Sequence, residues 1–146
     1  MGGARPPAEI DSTGAGYARH ESSSLLSRPF TAATITELRH AVAARVEAAG
    51  LTGEPAEDFV LAVHELATNA VRHGGGAGHL HLRRQGDELR CDVVDHGPGT
   101  DAPSVQRAGG TEAGGRGLWL ADQLADSLVL RRRADGLTAT VTIRLR

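Results

Sequence analysis

The sequence predicts an α+β domain, a two-layer sandwich with helices packed on one face of a mixed, mostly antiparallel sheet. Three observations predict it. The apolar period is helical in the first half and changes to alternation from Gly78 onward. The alternating segments come in two pairs, each joined by a short polar turn. A glycine-dense stretch and one further helical segment separate the pairs, so the order is helix, helix, hairpin, glycine loop, helix, hairpin. With 146 residues the chain has the usual length of one domain.

Each element has a local reason. Residues 1–24 are rich in Gly, Pro, Ala and Ser and offer few large apolar side chains to offset the entropy of ordering, so a flexible leader is expected before a domain at 25–146. A short extended piece, Leu25 to Phe30, precedes Thr34-Ile35-Thr36-Glu37, whose Thr-x-x-Glu spacing is that of a capping box. The helix this opens carries Ile35, Leu38, Val42 and Val46 on one stripe and stops at Gly50. Glu54-Pro55 opens a second helix, through Phe59, Val63, Leu66 and Ala70 to Gly74. Leu80 and Leu82 alternate with polar residues, and Leu89, Cys91 and Val93 do so after the Gln85-Gly86-Asp87 turn: an antiparallel hairpin. A third helix is expected from Leu118 to about Leu124. Leu128 to Arg132 and Leu137 to Leu145 then form the second hairpin around Ala134-Asp135-Gly136.

Composition removes several chemistries. All sixteen basic residues are Arg, so a phosphate loop ending in Gly-Lys-Ser/Thr and any lysine nucleophile or Schiff base are excluded. Eighteen acidic residues give a net charge of −2, spread along the chain, which argues against direct nucleic-acid binding. Arg131, Arg132 and Arg133 form the one basic run and read as a solvated strand end. The single Cys91 alternates with apolar neighbours and reads as a buried hydrophobe. His79 and His81 share a strand face but lack a third ligand, so they read as solvent-facing. Neither a signal peptide nor an apolar run of membrane-spanning length is present, which predicts a cytoplasmic protein without a membrane partner.

Three segments are candidates for chemistry. Glu65 and Asn69 lie four apart and share a helix face; a carboxylate suits general-base work and a carboxamide oxygen suits Mg²⁺. On its own such a pair is commonplace on solvated helices. Asp95-His96-Gly97-Pro98-Gly99 puts an acid at a strand end before glycines that admit a ligand close to the backbone, and an Asp-capped turn is the bland alternative. Gly114-Gly115-Arg116-Gly117-Leu118 is glycine-rich and precedes a helix, where free backbone amides and an arginine fork suit phosphate; a hinge is the alternative.

In order and separation these segments together resemble the histidine-kinase-like ATPase superfamily with the Bergerat nucleotide-binding fold. Glu65 to Gly74 resembles its N box, Asp95 to Gly99 its Asp-x-Gly-x-Gly box, and Gly115-Arg116-Gly117-Leu118 its second glycine box. The Glu-Leu-x-x-Asn-Ala-x-x-His-Gly and Gly-Arg-Gly-Leu forms, with a short lid, are most similar to the anti-sigma-factor serine kinases of Gram-positive bacteria. The resemblance covers about Leu25 to Arg146. It implies ATP and Mg²⁺ as cofactors, with Glu65 as the base toward a serine or threonine hydroxyl and Asn69 on Mg²⁺. Asp95 would meet the adenine amine, with Gly97 and Gly99 beside the ring. Gly115, Arg116, Gly117 and Leu118 would form the phosphate turn under a lid at residues 100–114. Thr138 would back the adenine site, with Thr140 competing for that role. The implied partners are a sigma factor and an anti-sigma-factor antagonist, the latter the phosphorylation substrate, and a homodimer is the implied assembly. No phosphoacceptor helices of a sensor kinase accompany the motifs, so autophosphorylation on histidine is not expected. The alternative function is a non-catalytic module that sequesters a regulator with or without nucleotide.

Overall fold

Alternating apolar residues after Gly78 build strands, and the computed structural model, which describes residues 22–97 and 115–145, assembles five of them into one sheet. The elements are β1 (Ser22–Thr31), α1 (Ile35–Ala48), α2 (Gly53–His73), β2 (Ala77–Gln85), β3 (Glu88–Asp95), α3 (Gly115–Leu124), β4 (Ser127–Arg133) and β5 (Gly136–Arg144). The strand order is β1-β2-β3-β5-β4, and all four pairings are antiparallel. Among the described residues the sheet is therefore antiparallel throughout rather than mixed.

The helices cover one face. Directly opposed residues of an antiparallel pair share a face, and the register opposes Leu80 to Val93, Leu82 to Cys91, Cys91 to Val141 and Val93 to Ala139. Together they form an apolar floor that is buried throughout. Onto this floor α2 lays Phe59, Ala62, Val63, Leu66 and Ala70, and α1 lays Leu38, Val42 and Val46, all buried. The anticipated stripes are thus the core-facing ones, except that Ile35 is only partly covered. Burial pushes the Cys91 thiol well above its ordinary range, which leaves it an inert filler. Among the described residues no helix covers the opposite face, which is polar: Asp92 there accepts from Arg83 Nη2 at 2.8 Å and from Thr140 Oγ1 at 2.6 Å.

Several boundaries differ from expectation for local reasons. Strand β1 begins at Ser22, three residues before the anticipated start, because Ser22, Ser23 and Ser24 find ladder partners in Gln85, Arg84 and Arg83. A register shift between Ser24 and Leu26 turns Leu26 into the core. The capping box sits at Thr31 and Thr34, around a single 3-10 turn, rather than at Thr34 and Glu37; Thr31 accepts from Ala33 N–H, and Thr34 Oγ1 accepts from Thr31 N–H. Helix α3 begins at Gly115, three residues before the expected Leu118, since a helix's first amides need no intrahelical partner and glycine is tolerated there. Residues 1–21, Gly99, the segment 100–114 and the Arg116 side chain lie outside the description. No helix among the described residues is long and apolar enough to cross a membrane.

Candidate functional site

Helix α2 carries the site at two points along its length. Glu65 and Asn69 are one turn apart on the side that meets α3. Asn69 is only 8 % exposed, and its carboxamide oxygen is buried without a hydrogen-bond partner among the described residues. Leaving such an oxygen unpaired costs about 1–3 kcal/mol, and the cost is reversed once a cation or its water shell reaches it. A neutral hard oxygen beside a carboxylate fits Mg²⁺.

The first turn of α3 stands against Glu65. A Cβ on Gly117 would lie 3.0 Å from Glu65 Oε1, so only glycine lets the helix start come this close without moving the carboxylate. The next residue, Leu118, is fully buried and fixes the turn in the core. Two of the three sequence motifs therefore meet, with Gly117 beside the Glu65 carboxylate.

The other end of α2 meets the third motif. Asp95 closes β3 and is 7 % exposed. Its Oδ1 accepts two backbone N–H groups, from Gly97 at 3.1 Å and from Leu137 at 3.2 Å. A Cβ on Gly74 would sit 2.5 Å from Oδ2, and one on Gly97 would sit 2.5 Å from the Gly74 Cα. Helix end, carboxylate and following loop are thus packed backbone against side chain, and both hydrogen bonds to the carboxylate among the described residues fall on Oδ1. An acceptor-only carboxylate in that setting selects a donor such as an exocyclic amine.

The threonines anticipated behind Asp95 are elsewhere. Thr138 opposes Val94, hence lies on the face away from the Asp95 carboxylate, and its hydroxyl accepts from Arg133 Nε at 3.1 Å. Thr140 opposes Asp92 on the same outer face and bonds to it. The position facing Asp95 is filled by Leu137, through its backbone N–H.

Arg133 is the residue that the sequence reading misjudged. Arg131 and Arg132 are exposed, as a solvated run should be, but Arg133 is half-buried. Its guanidinium donates to the Asp95 carbonyl, to Leu137 O at 3.3 Å and to Asp135 Oδ1 at 2.7 Å. The one sequence signal for this was its place just before a two-residue turn, opposite Gly136.

The geometry agrees with the comparisons to known proteins. The family model for the histidine kinase-like ATPase domain matches residues 29–144. The chain belongs to the histidine kinase-like ATPase family. Membership implies ATP binding, and the antiparallel sheet with helices on one face is consistent with the family's architecture. A solved structure with the same fold is that of the RsbU and RsbW domains of Rv1364c from Mycobacterium tuberculosis. The two are 22 % identical with a TM-score of 0.60, over 82 % of this chain and 32 % of that one. This ATPase domain therefore spans about a third of the neighbour's length. No curated protein matches the chain.

Proposed function

We propose that this chain is an ATP-dependent serine/threonine protein kinase that acts as an anti-sigma factor and phosphorylates an anti-sigma-factor antagonist. The observation that carries the nucleotide chemistry is the placement of Glu65, Asn69 and Gly117 at one point of α2 and of Asp95 at its end. From Glu65 to Gly74 a helix advances about 13 Å, which separates a phosphate end from a base end. The choice of partner rests on the motif forms, which resemble those of anti-sigma-factor serine kinases, and on a fold shared with a structure that contains an RsbW domain.

Each residue then has a role. Asp95 accepts the adenine amine on its free oxygen and stays fixed by the two N–H groups on the other. Gly97 and Gly99 let the backbone approach the ring. Amides at the start of α3, at Gly115, Gly117 and Leu118, and the Arg116 fork meet the phosphates, with residues 100–114 as a lid. Asn69 is the protein ligand for Mg²⁺, which when bound supplies positive charge against the phosphate oxygens. Glu65 takes the proton from the incoming serine or threonine hydroxyl as that oxygen attacks the γ-phosphorus and ADP leaves. Partner switching follows if phosphorylating the antagonist frees the kinase, as a homodimer in the cytoplasm, to hold its sigma factor.

Radiolabelled ATP, Mg²⁺ and candidate antagonist proteins test this. Label should appear on a serine or threonine of the antagonist and be lost in Glu65→Ala. Label transfer undiminished in Glu65→Ala removes the assigned base. ATP binding and sigma-factor capture without any transfer make the protein a nucleotide-binding sequestering module instead.

A further inference from the structure

The ladder between β3 and β5 ends at the pair Val94 and Thr138, one residue short of Asp95. From that point no pairing with β5 holds the Asp95 backbone, which keeps its pairing with Gly78 of β2 on the other edge, although the base-reading carboxylate hangs from it. A single guanidinium occupies the gap. Arg133 reaches across from β4 and donates to the Asp95 carbonyl with Nη2, an atom it shares with the Leu137 carbonyl at 3.3 Å. Its Nε donates to Thr138 Oγ1 at 3.1 Å and its Nη1 to Asp135 Oδ1 at 2.7 Å. The approach is possible because position 136 has no side chain: a Cβ there would collide with the Asp95 carbonyl and lie 2.8 Å from Arg133 Nη2.

The two carbonyls Arg133 joins belong to the two residues that set the carboxylate. Asp95 bears it, and Leu137 supplies one of the two N–H groups that hold Oδ1. A peptide gripped at its carbonyl is restrained, so on the β5 side the Arg133 fork adds to the Gly78 pairing and to the two N–H groups on Oδ1 in setting the carboxylate. Thr138 and Asp135 in turn hold the fork in plane. Only arginine presents enough donors in one rigid plane for these acceptors; lysine has a point charge without the fork.

We propose that Arg133 is a positioning residue for nucleotide-base recognition: it aims the Asp95 carboxylate at the exocyclic amine and thereby sets the preference for adenine. This inference rests on the nucleotide reading of the site. Arg133 touches no part of the ligand and acts only through Asp95.

The test compares ATP with purine riboside triphosphate, which lacks the 6-amino group, by calorimetric titration of wild type, Arg133→Met and Arg133→Lys. A hydrogen bond to a charged acceptor separates the two ligands by about tenfold or more in wild type. Arg133→Met is expected to lower ATP affinity by about that factor and to leave the analogue's affinity unchanged, so that the preference disappears. Arg133→Lys should fall between, and it carries the test if the methionine variant does not fold. An equal loss for both ligands would show that Arg133 merely holds the fold, and an unchanged preference in both variants would show that it does not aim Asp95; either overturns the proposal. Asp95→Asn separates the two layers: if that variant binds ATP as tightly as wild type, the nucleotide reading itself fails, whatever Arg133 does.

Discussion

His64 is the immediate neighbour of Glu65 on α2 but belongs to a different environment. Its Nδ1 is buried without a partner among the described residues, and its pKa is lowered from 6.5 by burial first and by Arg39 second, against a smaller opposing effect of Glu65. A histidine whose folded pKa is lowered binds a proton more readily in the unfolded chain, so stability falls as the pH drops through the unfolded value. The thermal midpoint should therefore decline as the pH falls through 6.5, and less steeply in His64→Gln. Parallel declines in the two proteins would show that the His64 environment does not contribute. Asn69 differs from His64 in kind: its oxygen is unpaired where a cation suits it, whereas a cation beside His64 would meet Arg39. The same helix thus holds two unpartnered polar atoms, and only one points to a ligand.

At the scale of elements, α2 is the beam to which both ends of the site are fixed, and two glycines set the distances. An alanine at 117 pushes on Glu65 Oε1, the far end of a flexible side chain, while an alanine at 74 pushes on the whole Asp95 carboxylate. Gly117→Ala should fold normally and bind ATP, yet transfer phosphate about tenfold more slowly, because a base displaced by a few tenths of an ångström loses its alignment. Gly74→Ala should instead weaken ATP binding and destabilise the fold by about 1–3 kcal/mol, the usual cost of overpacking. Titration calorimetry, label-transfer rates and denaturant melts separate the two. The reverse pattern, with Gly74→Ala sparing binding and Gly117→Ala abolishing it, would contradict the assignment of base and phosphate ends.

For the whole molecule, the proposed nucleotide binding and folding are linked, since the three motifs are brought to α2 only in the native chain. Mg-ATP at one hundred times its Kd should stabilise the protein by about 2.7 kcal/mol, read as a raised thermal midpoint. Asp95→Ala should abolish the shift, and Asn69→Ala should abolish its dependence on Mg²⁺. A midpoint indifferent to Mg-ATP would contradict nucleotide binding by the native chain. No described helix covers the outer sheet face, where Asp92 bonds Arg83 and Thr140, while Arg83 Nε and Arg90 Nε have no partner among the described residues.

The sequence by itself determined the element order, the apolar stripes of α1 and α2, both hairpins and the three motif segments, because periodicity, turn chemistry and motif spacing are local properties. The absence of lysine also excluded a phosphate loop ending in Gly-Lys-Ser/Thr before any contact was known. The tertiary structure decided what local rules cannot reach. Ser22 to Ser24 become strand only because β2 offers ladder partners. Thr138 turns away from Asp95 because the register with Val94 sets its face, and a shift of one residue would have reversed it. Arg133 leaves its basic run because the β3–β5 ladder stops one residue before Asp95 and the carbonyl on that edge needs a donor. Glu65 meets Gly117, and Gly74 meets Asp95, through contacts between segments distant in the chain. Such contacts depend on where elements come to rest on the sheet, a property of the packed core that no window of neighbouring residues contains.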